Sequence, residues 1–234
     1  MRGAVKMALP FLAGGAALGT FLYAASVQTS TPAAAAVAAV DIPAPARNAN
    51  ESGSRAVAVL AGGCFWGVEG VYEHVEGVIS VESGYAGGTR ADADYDRVSG
   101  GRTDHAEAVR ITYDPRRISY GQLLHIFFSV THDPTQLNRQ GPDVGRHYRS
   151  AIFPQNAQQR ETAAAYVAQL RVARRFRGNI VTTLERGGFF PAEAYHQNFM
   201  RRNPQHSYIV MHDAPKLRDL RATFPRLFSG RPVS

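Results

Sequence analysis

The chain has 234 residues, 44% of them hydrophobic and 19% charged, with a net charge of +7. That is apolar material for one core of ordinary size plus extra segments. Its single cysteine, Cys64, excludes an internal disulfide and a multi-cysteine metal cluster. The arginines are scattered, with no zinc-finger or RNP-like pattern, so the basicity reads as a soluble face rather than a nucleic-acid surface.

In chain order, Arg2 and Lys6 precede the apolar run "MALPFLAGGAALGTFLYAASV", Met7 to Val27. Residues 1–28 therefore read as a secretory signal peptide or an N-terminal membrane anchor. Pro10, Gly14 and Gly15 weaken the anchor reading, and the small residues Ala24, Ala25 and Ser26 favour cleavage. Either way the expected location is exported: periplasmic, or membrane-anchored and facing the periplasm. Residues 29–54 are rich in Ala, Pro, Ser and Asn and short of bulky residues, so a disordered linker is predicted there. The folded domain is predicted over 55–234.

Within it, Ala56–Leu60 reads as a buried strand, and Gly62 and Gly63 as a tight turn. From Cys64 the apolar residues Phe65, Val68, Val71, Tyr72 and Val75 follow helical spacing. "GVISVESGYAGG" predicts a strand ending in a glycine-rich turn, and "EAVRITYDP" an alternating strand stopped by Pro115. An amphipathic helix capped by Ser119 runs to His132. A short strand "YRSAIFP", a long helix over 156–175 and a strand "NIVTTLER" follow. Interleaved strands and helices without a repeat imply an α/β chain, an α+β two-layer sandwich.

Cys64 falls at the first turn of its helix. Free N–H groups and the positive helix end would lower its pKa there. The paired glycines let a substrate approach, and Phe65 and Trp66 can wall a small apolar pocket. The bland alternative, a buried inert thiol, does not explain these neighbours.

"GGCFWGVEG" resembles the signature of peptide methionine sulfoxide reductase A. The resemblance extends through "ESGYAGG", "YDRVSGGRTDHAEAVRITYDP", "THDPTQLNRQGPDVGRHYRSAIF" and "FFPAEAYHQNF", in the family's order, from Ala56 to about Pro225. It implies a ferredoxin-like core with irregular glycine-rich loops. The implied reaction is reduction of methionine-S-sulfoxide, free or in oxidised proteins. Cys64 would attack the sulfoxide sulfur and Glu107, its pKa raised in an apolar pocket, would protonate the oxygen. Phe65 and Trp66 would form a methyl slot, Tyr95 and Tyr148 would donate O–H bonds to the oxygen, and Asp143 matches the remaining polar pocket residue.

Of the eight histidines, His105, His132, His147 and His196 invite a metal reading but lack metalloenzyme spacing, so no metal is expected, and His196 reads as structural or hydrogen-bonding near the pocket. Attack would leave Cys64 as a sulfenic acid. Ser207 and Tyr208 stand where relatives of another subtype carry a resolving thiol, so an external thiol is required: thioredoxin, glutaredoxin or glutathione, with no bound cofactor. Phe199 occupies a place where some relatives have Tyr, and Asp104 one where Gly is commoner. A monomer is the default. Two other readings compete: a Cys–His–Asp hydrolase, and a non-enzymatic binder of oxidised methionine side chains.

Overall fold

A computed structural model describes residues 39–233; the expected signal or anchor segment lies outside the described residues. Its elements are β1 (Ala56–Gly62), α1 (Phe65–Glu73), β2 (Val78–Ala86), α2 (Tyr95–Ser99), β3 (Ala106–Tyr113), α3 (Tyr120–Ile126), β4 (Arg139–Gln140), β5 (Asp143–Val144), β6 (Ser150–Phe153), α4 (Ala157–Ala173), β7 (Thr183–Leu184), β8 (Phe189–Pro191), α5 (Phe199–Arg202) and α6 (Ala214–Thr223). Among the described residues no helix is long and apolar enough to cross a membrane.

The main sheet has the order β7-β6-β1-β3-β2-β8. Its four central strands pair antiparallel and connect as β1-α1-β2-β3-α3-β6, the ferredoxin-like arrangement the sequence implied. Leu60 lies opposite both Val109 and Ile152, and alternation sends these residues with Ile111 to one face, where α1, α3 and α4 complete the core. The reverse face carries smaller side chains, Ala61, Ala106, Ala108 and Ala151, around Val59 and Phe153. Glu107 shares the core face of β3 with Val109 and sits opposite Tyr85 of β2, so a carboxyl is delivered among apolar groups.

Ser119 caps α3 with a full capping box, as predicted. The helix does not run straight to His132: it passes into a π-type turn over Phe127–Thr131. Asn156 caps α4 through the Gln159 amide at 2.8 Å, and the predicted strand over 179–186 contracts to Thr183–Leu184. The short elements α2, α5 and β8, and helix α6, carry too little periodicity to be read from sequence.

Residues 39–54 correct the linker expectation. This described part of the segment lies as an ordered strap along α3 and α4. Tyr166 donates to Pro43 O at 2.9 Å, Gly121 N to Asn48 Oδ1 at 2.8 Å, and Gln159 Nε2 to Glu51 Oε1 at 2.8 Å. Ile42 is its one buried apolar anchor. Composition missed this because the strap is held mainly by side chains reaching it from the helices, not by apolar burial of its own.

Helix α1 follows the predicted helical spacing and is enclosed on nearly every side. The sheet covers one flank, and α5 and α6 cover the other. Glu69 and Glu73 are thereby buried, and burial pushes each carboxyl up to about 7.

Candidate active site

The site is built at the mouth of α1. Gly63 turns the chain with φ +93°, and a Cβ there would lie 2.6 Å from Gln140, so only glycine fits. The turn sets Cys64 at the N-cap position, 8% exposed. The backbone N–H of Trp66 favours the thiolate form of Cys64. The N–H of Phe65 donates to Glu107 Oε2 at 3.0 Å. One helix turn thus holds both the thiol and the acid that sequence reasoning selected.

The electrostatics at Glu107 agree with the expectation, and those at Cys64 correct it. Burial, then the charges of Asp143 and Asp213, push Glu107 up to about 8, against the Phe65 amide. Burial, then the carboxylates of Glu107, Asp213 and Asp143, push the Cys64 thiol well above its ordinary value, and the Trp66 amide offsets only part of this. The helix N-terminus was predicted to win; desolvation in a pocket with three acids is larger. With both groups raised, both keep their protons near neutral pH while the pocket is empty.

The aromatic walls assemble around this centre. Phe65 is fully buried, its ring 5.9 Å from Tyr85. The Trp66 indole stacks on Phe199 at 3.7 Å and 8°, which gives the departure at Phe199 a packing role. Tyr208 meets the indole edge-on at 6.1 Å and donates its hydroxyl to Asp143. Tyr95 and Tyr148 are pushed up by burial first and then by the negative charge of Glu107 and Cys64, and the Tyr95 ring lies 4.7 Å from His196. Burial also raises Asp143, against the Tyr208 bond.

Sequence reasoning missed two residues here. Asp213 is fully buried, with Lys216 Nζ at 3.0 Å on Oδ1, and a Cβ on Gly67 would fall 2.0 Å from that oxygen. The pair therefore sits against the first turn of α1. Only the i,i+3 spacing of the two charges could have signalled it. The histidines are committed elsewhere. His132 bonds Ser150 Oγ at 2.7 Å, His105 bonds the Thr89 carbonyl at 2.9 Å, and His196 bonds the Trp66 indole at 3.1 Å. A hydrolase needs a histidine against the thiol, and these three are turned to other partners. His147 lies in the middle of the 3₁₀ turn Arg146–Tyr148, its ring 4.1 Å from the Tyr148 ring. Asp104 pairs with Arg146 at 2.6 Å.

A buried thiol at the mouth of α1, a buried acid on β3 bonded to the next residue of that helix, and aromatic rings and phenols around them are the equipment of a thiol-based enzyme. The model of the peptide methionine sulfoxide reductase family matches residues 56–226. A peptide methionine sulfoxide reductase MsrA 2 of Mesorhizobium japonicum is 54% identical over 177 residues, covering 75% of this chain and 91% of its own length. One from Synechocystis is 56% identical over 168 residues, 71% of this chain and 78% of its own. Among solved structures, reduced Mxr1 of Saccharomyces cerevisiae superposes with TM-score 0.60 at 32% identity, over 69% of this chain and 93% of that one. Methionine sulfoxide reductase A of Corynebacterium diphtheriae gives 0.57 at 30% identity, over 73% and 89%. The chain belongs to the peptide methionine sulfoxide reductase family. It is an oxidoreductase that reduces methionine sulfoxide, a repair of oxidised protein.

Proposed function

We propose that Cys64 attacks the sulfoxide sulfur, that Phe65 and Trp66 receive the methyl group, and that Glu107 protonates the oxygen, with Tyr95 and Tyr148 as further donors. The observation that carries this reading is the 3.0 Å bond from Phe65 N to Glu107 Oε2, because it ties the acid to the residue that follows the nucleophile. Two adjacent anions are disfavoured in a dry pocket, so when the thiol ionises Glu107 keeps its proton, the form needed for donation. Sulfur, methyl slot and oxygen donors fix three points of a pyramidal centre, so one epimer fits. Family membership makes it the S epimer.

The reaction balances as Cys64–SH plus sulfoxide giving Cys64–SOH plus methionine. The sulfoxide sulfur is reduced, the cysteine sulfur is oxidised, and the oxygen passes between them. No second cysteine exists in the chain. An external thiol of the thioredoxin, glutaredoxin or glutathione class therefore attacks the sulfenic acid, releasing water and leaving a mixed disulfide. A second thiol frees Cys64. Asp143, bonded by Tyr208, closes the polar side of the pocket. The basic start and apolar run at 7–27 support export to the periplasm, as a cleaved or an anchored protein; the mass of the mature N-terminus from the native host separates the two.

The test is incubation of the full chain with dithiothreitol and a racemic methionine sulfoxide peptide. Half of the sulfoxide is expected to be consumed, and Cys64→Ser to abolish turnover. Consumption of both epimers, retention without conversion, or turnover by the serine variant would overturn the reading.

A further inference from the structure

Three rings of the pocket converge on one imidazole. His196 is 2% exposed. Its ring lies 4.9 Å from Phe65, 4.7 Å from Tyr95 and 5.8 Å from Trp66. The indole Nε1 of Trp66 lies 3.1 Å from His196 Nδ1. An indole nitrogen can only donate, so Nδ1 must be the bare, accepting nitrogen and the ring proton resides on Nε2. That Nε2 has no hydrogen-bond partner; the nearest carboxylate oxygen, Glu193 Oε2, stands at 3.8 Å. Glu193 is itself committed, accepting from Tyr95 N at 2.9 Å and from the Tyr85 hydroxyl at 2.8 Å. Tyr195, 4.2 Å from the imidazole, is the remaining titratable neighbour.

The indole is otherwise held only by ring contacts, with Phe199 stacked on it and Tyr208 and the titratable His206 packed edge-on at 6.1 and 6.2 Å. Stacking on Phe199 fixes its tilt but permits sliding and rotation about the stacking axis. A hydrogen bond at the ring edge removes that freedom, because it is directional where stacking is not.

We infer that His196 is a positioning residue for sulfoxide reduction: its neutral imidazole, accepting at Nδ1, locks the Trp66 indole in the orientation that walls the methyl slot. This rests on the assignment of Trp66 to that slot. The consequence is a pH dependence with a defined sign. Protonation puts hydrogen on Nδ1 as well, two donors then face each other, and the indole is released. Burial favours the neutral ring, opposed by the charge of Glu193, and the net shift is downward from 6.5. The slot is therefore intact at neutral pH and loosens as pH falls below that value.

Trp66 is the only tryptophan in the chain, so its indole N–H gives a single, unambiguous NMR signal. In the wild-type protein this signal is expected at the shift of a hydrogen-bonded indole, moving on acidification. In His196→Leu it should sit at the free-indole position at every pH, with kcat/KM lowered about tenfold, mainly through KM, as misplacement of a substrate-contacting wall would produce. His196→Gln, whose amide oxygen can accept, should restore most of the activity and remove the pH dependence of the signal. An unmoved indole signal in His196→Leu, or equal losses in the Gln and Leu variants, would overturn the inference. If the Leu variant does not fold, the pH response present in wild type and absent in the Gln variant decides alone. Trp66→Phe separates the underlying reading: unchanged KM in that variant would remove Trp66 from the slot, while the NMR result would still report whether the bond exists.

Discussion

Replacing Glu107 by Gln should move activity and stability in opposite directions. The amide keeps the shape and can still accept from the Phe65 amide, so the helix mouth should stay formed. It cannot give up a proton to the sulfoxide oxygen, and loss of a positioned general acid costs on the order of 10²–10⁴ in rate. Stability follows from linkage. The carboxyl has an ordinary value of 4.5 and a folded value of about 8. The folded state therefore holds its proton longer than the unfolded state does, and stability falls as pH rises from about 4.5 to about 8. With about 1.4 kcal/mol per unit, the penalty is about 3 kcal/mol at pH 7 and about 5 kcal/mol at pH 8 and above. The Gln variant escapes it. Urea unfolding should show it more stable by about 3 kcal/mol at pH 7 and equal to the parent at pH 4, while single-turnover reduction falls at least a hundredfold. Unchanged reduction would place the acid elsewhere. A stability difference that does not vary with pH would refute the buried, protonated carboxyl.

Three other outcomes follow from the same geometry. Alkylation of Cys64 in the substrate-free protein should accelerate with pH well beyond neutrality, and Glu107→Gln should be alkylated faster above about pH 8, where the parent carboxyl would be ionised and its charge would raise the thiol; an early plateau near pH 6 would contradict this. Gly67→Ala should destabilise by about 3 kcal/mol or more, since its Cβ would meet Asp213 Oδ1 at 2.0 Å and Lys216 Nζ at 2.7 Å and force a buried ion pair apart; a neutral effect on the urea midpoint would show that the pair relaxes freely. A chain beginning at Arg55 should lose several kcal/mol relative to one beginning at Ala39, about 2 for exposing the Ile42 contact and about 1 for each unmatched bond to Gly121, Gln159 and Tyr166; equal unfolding midpoints would make the strap energetically idle.

The local sequence determined a good deal by itself. A strand, two glycines and a helix beginning at Cys64 are consequences of short-range pattern and of what Gly63 alone can adopt. The capping residues Ser119 and Asn156 announce their helices, and alternation in "EAVRITY" sends Glu107 to the buried face. The nucleophile and its aromatic neighbours could therefore be picked out before any coordinates, whereas the acid came from the resemblance, because a glutamate at the head of a strand reads by itself as a surface charge. What only the tertiary structure decided are the quantities set by groups distant in sequence. Cys64 is raised rather than lowered because burial, and then Glu107, Asp213 and Asp143 from three separate segments, outweigh one helix end. The strap at 39–54 is ordered because α3 and α4 supply its hydrogen bonds, which its own composition cannot reveal. His196 meets the indole across 130 residues of chain. Propensity and periodicity act over a few residues, whereas burial and charge sum over every atom the fold brings near. The reactive residue types were accordingly legible from sequence, and their protonation and orientation were not.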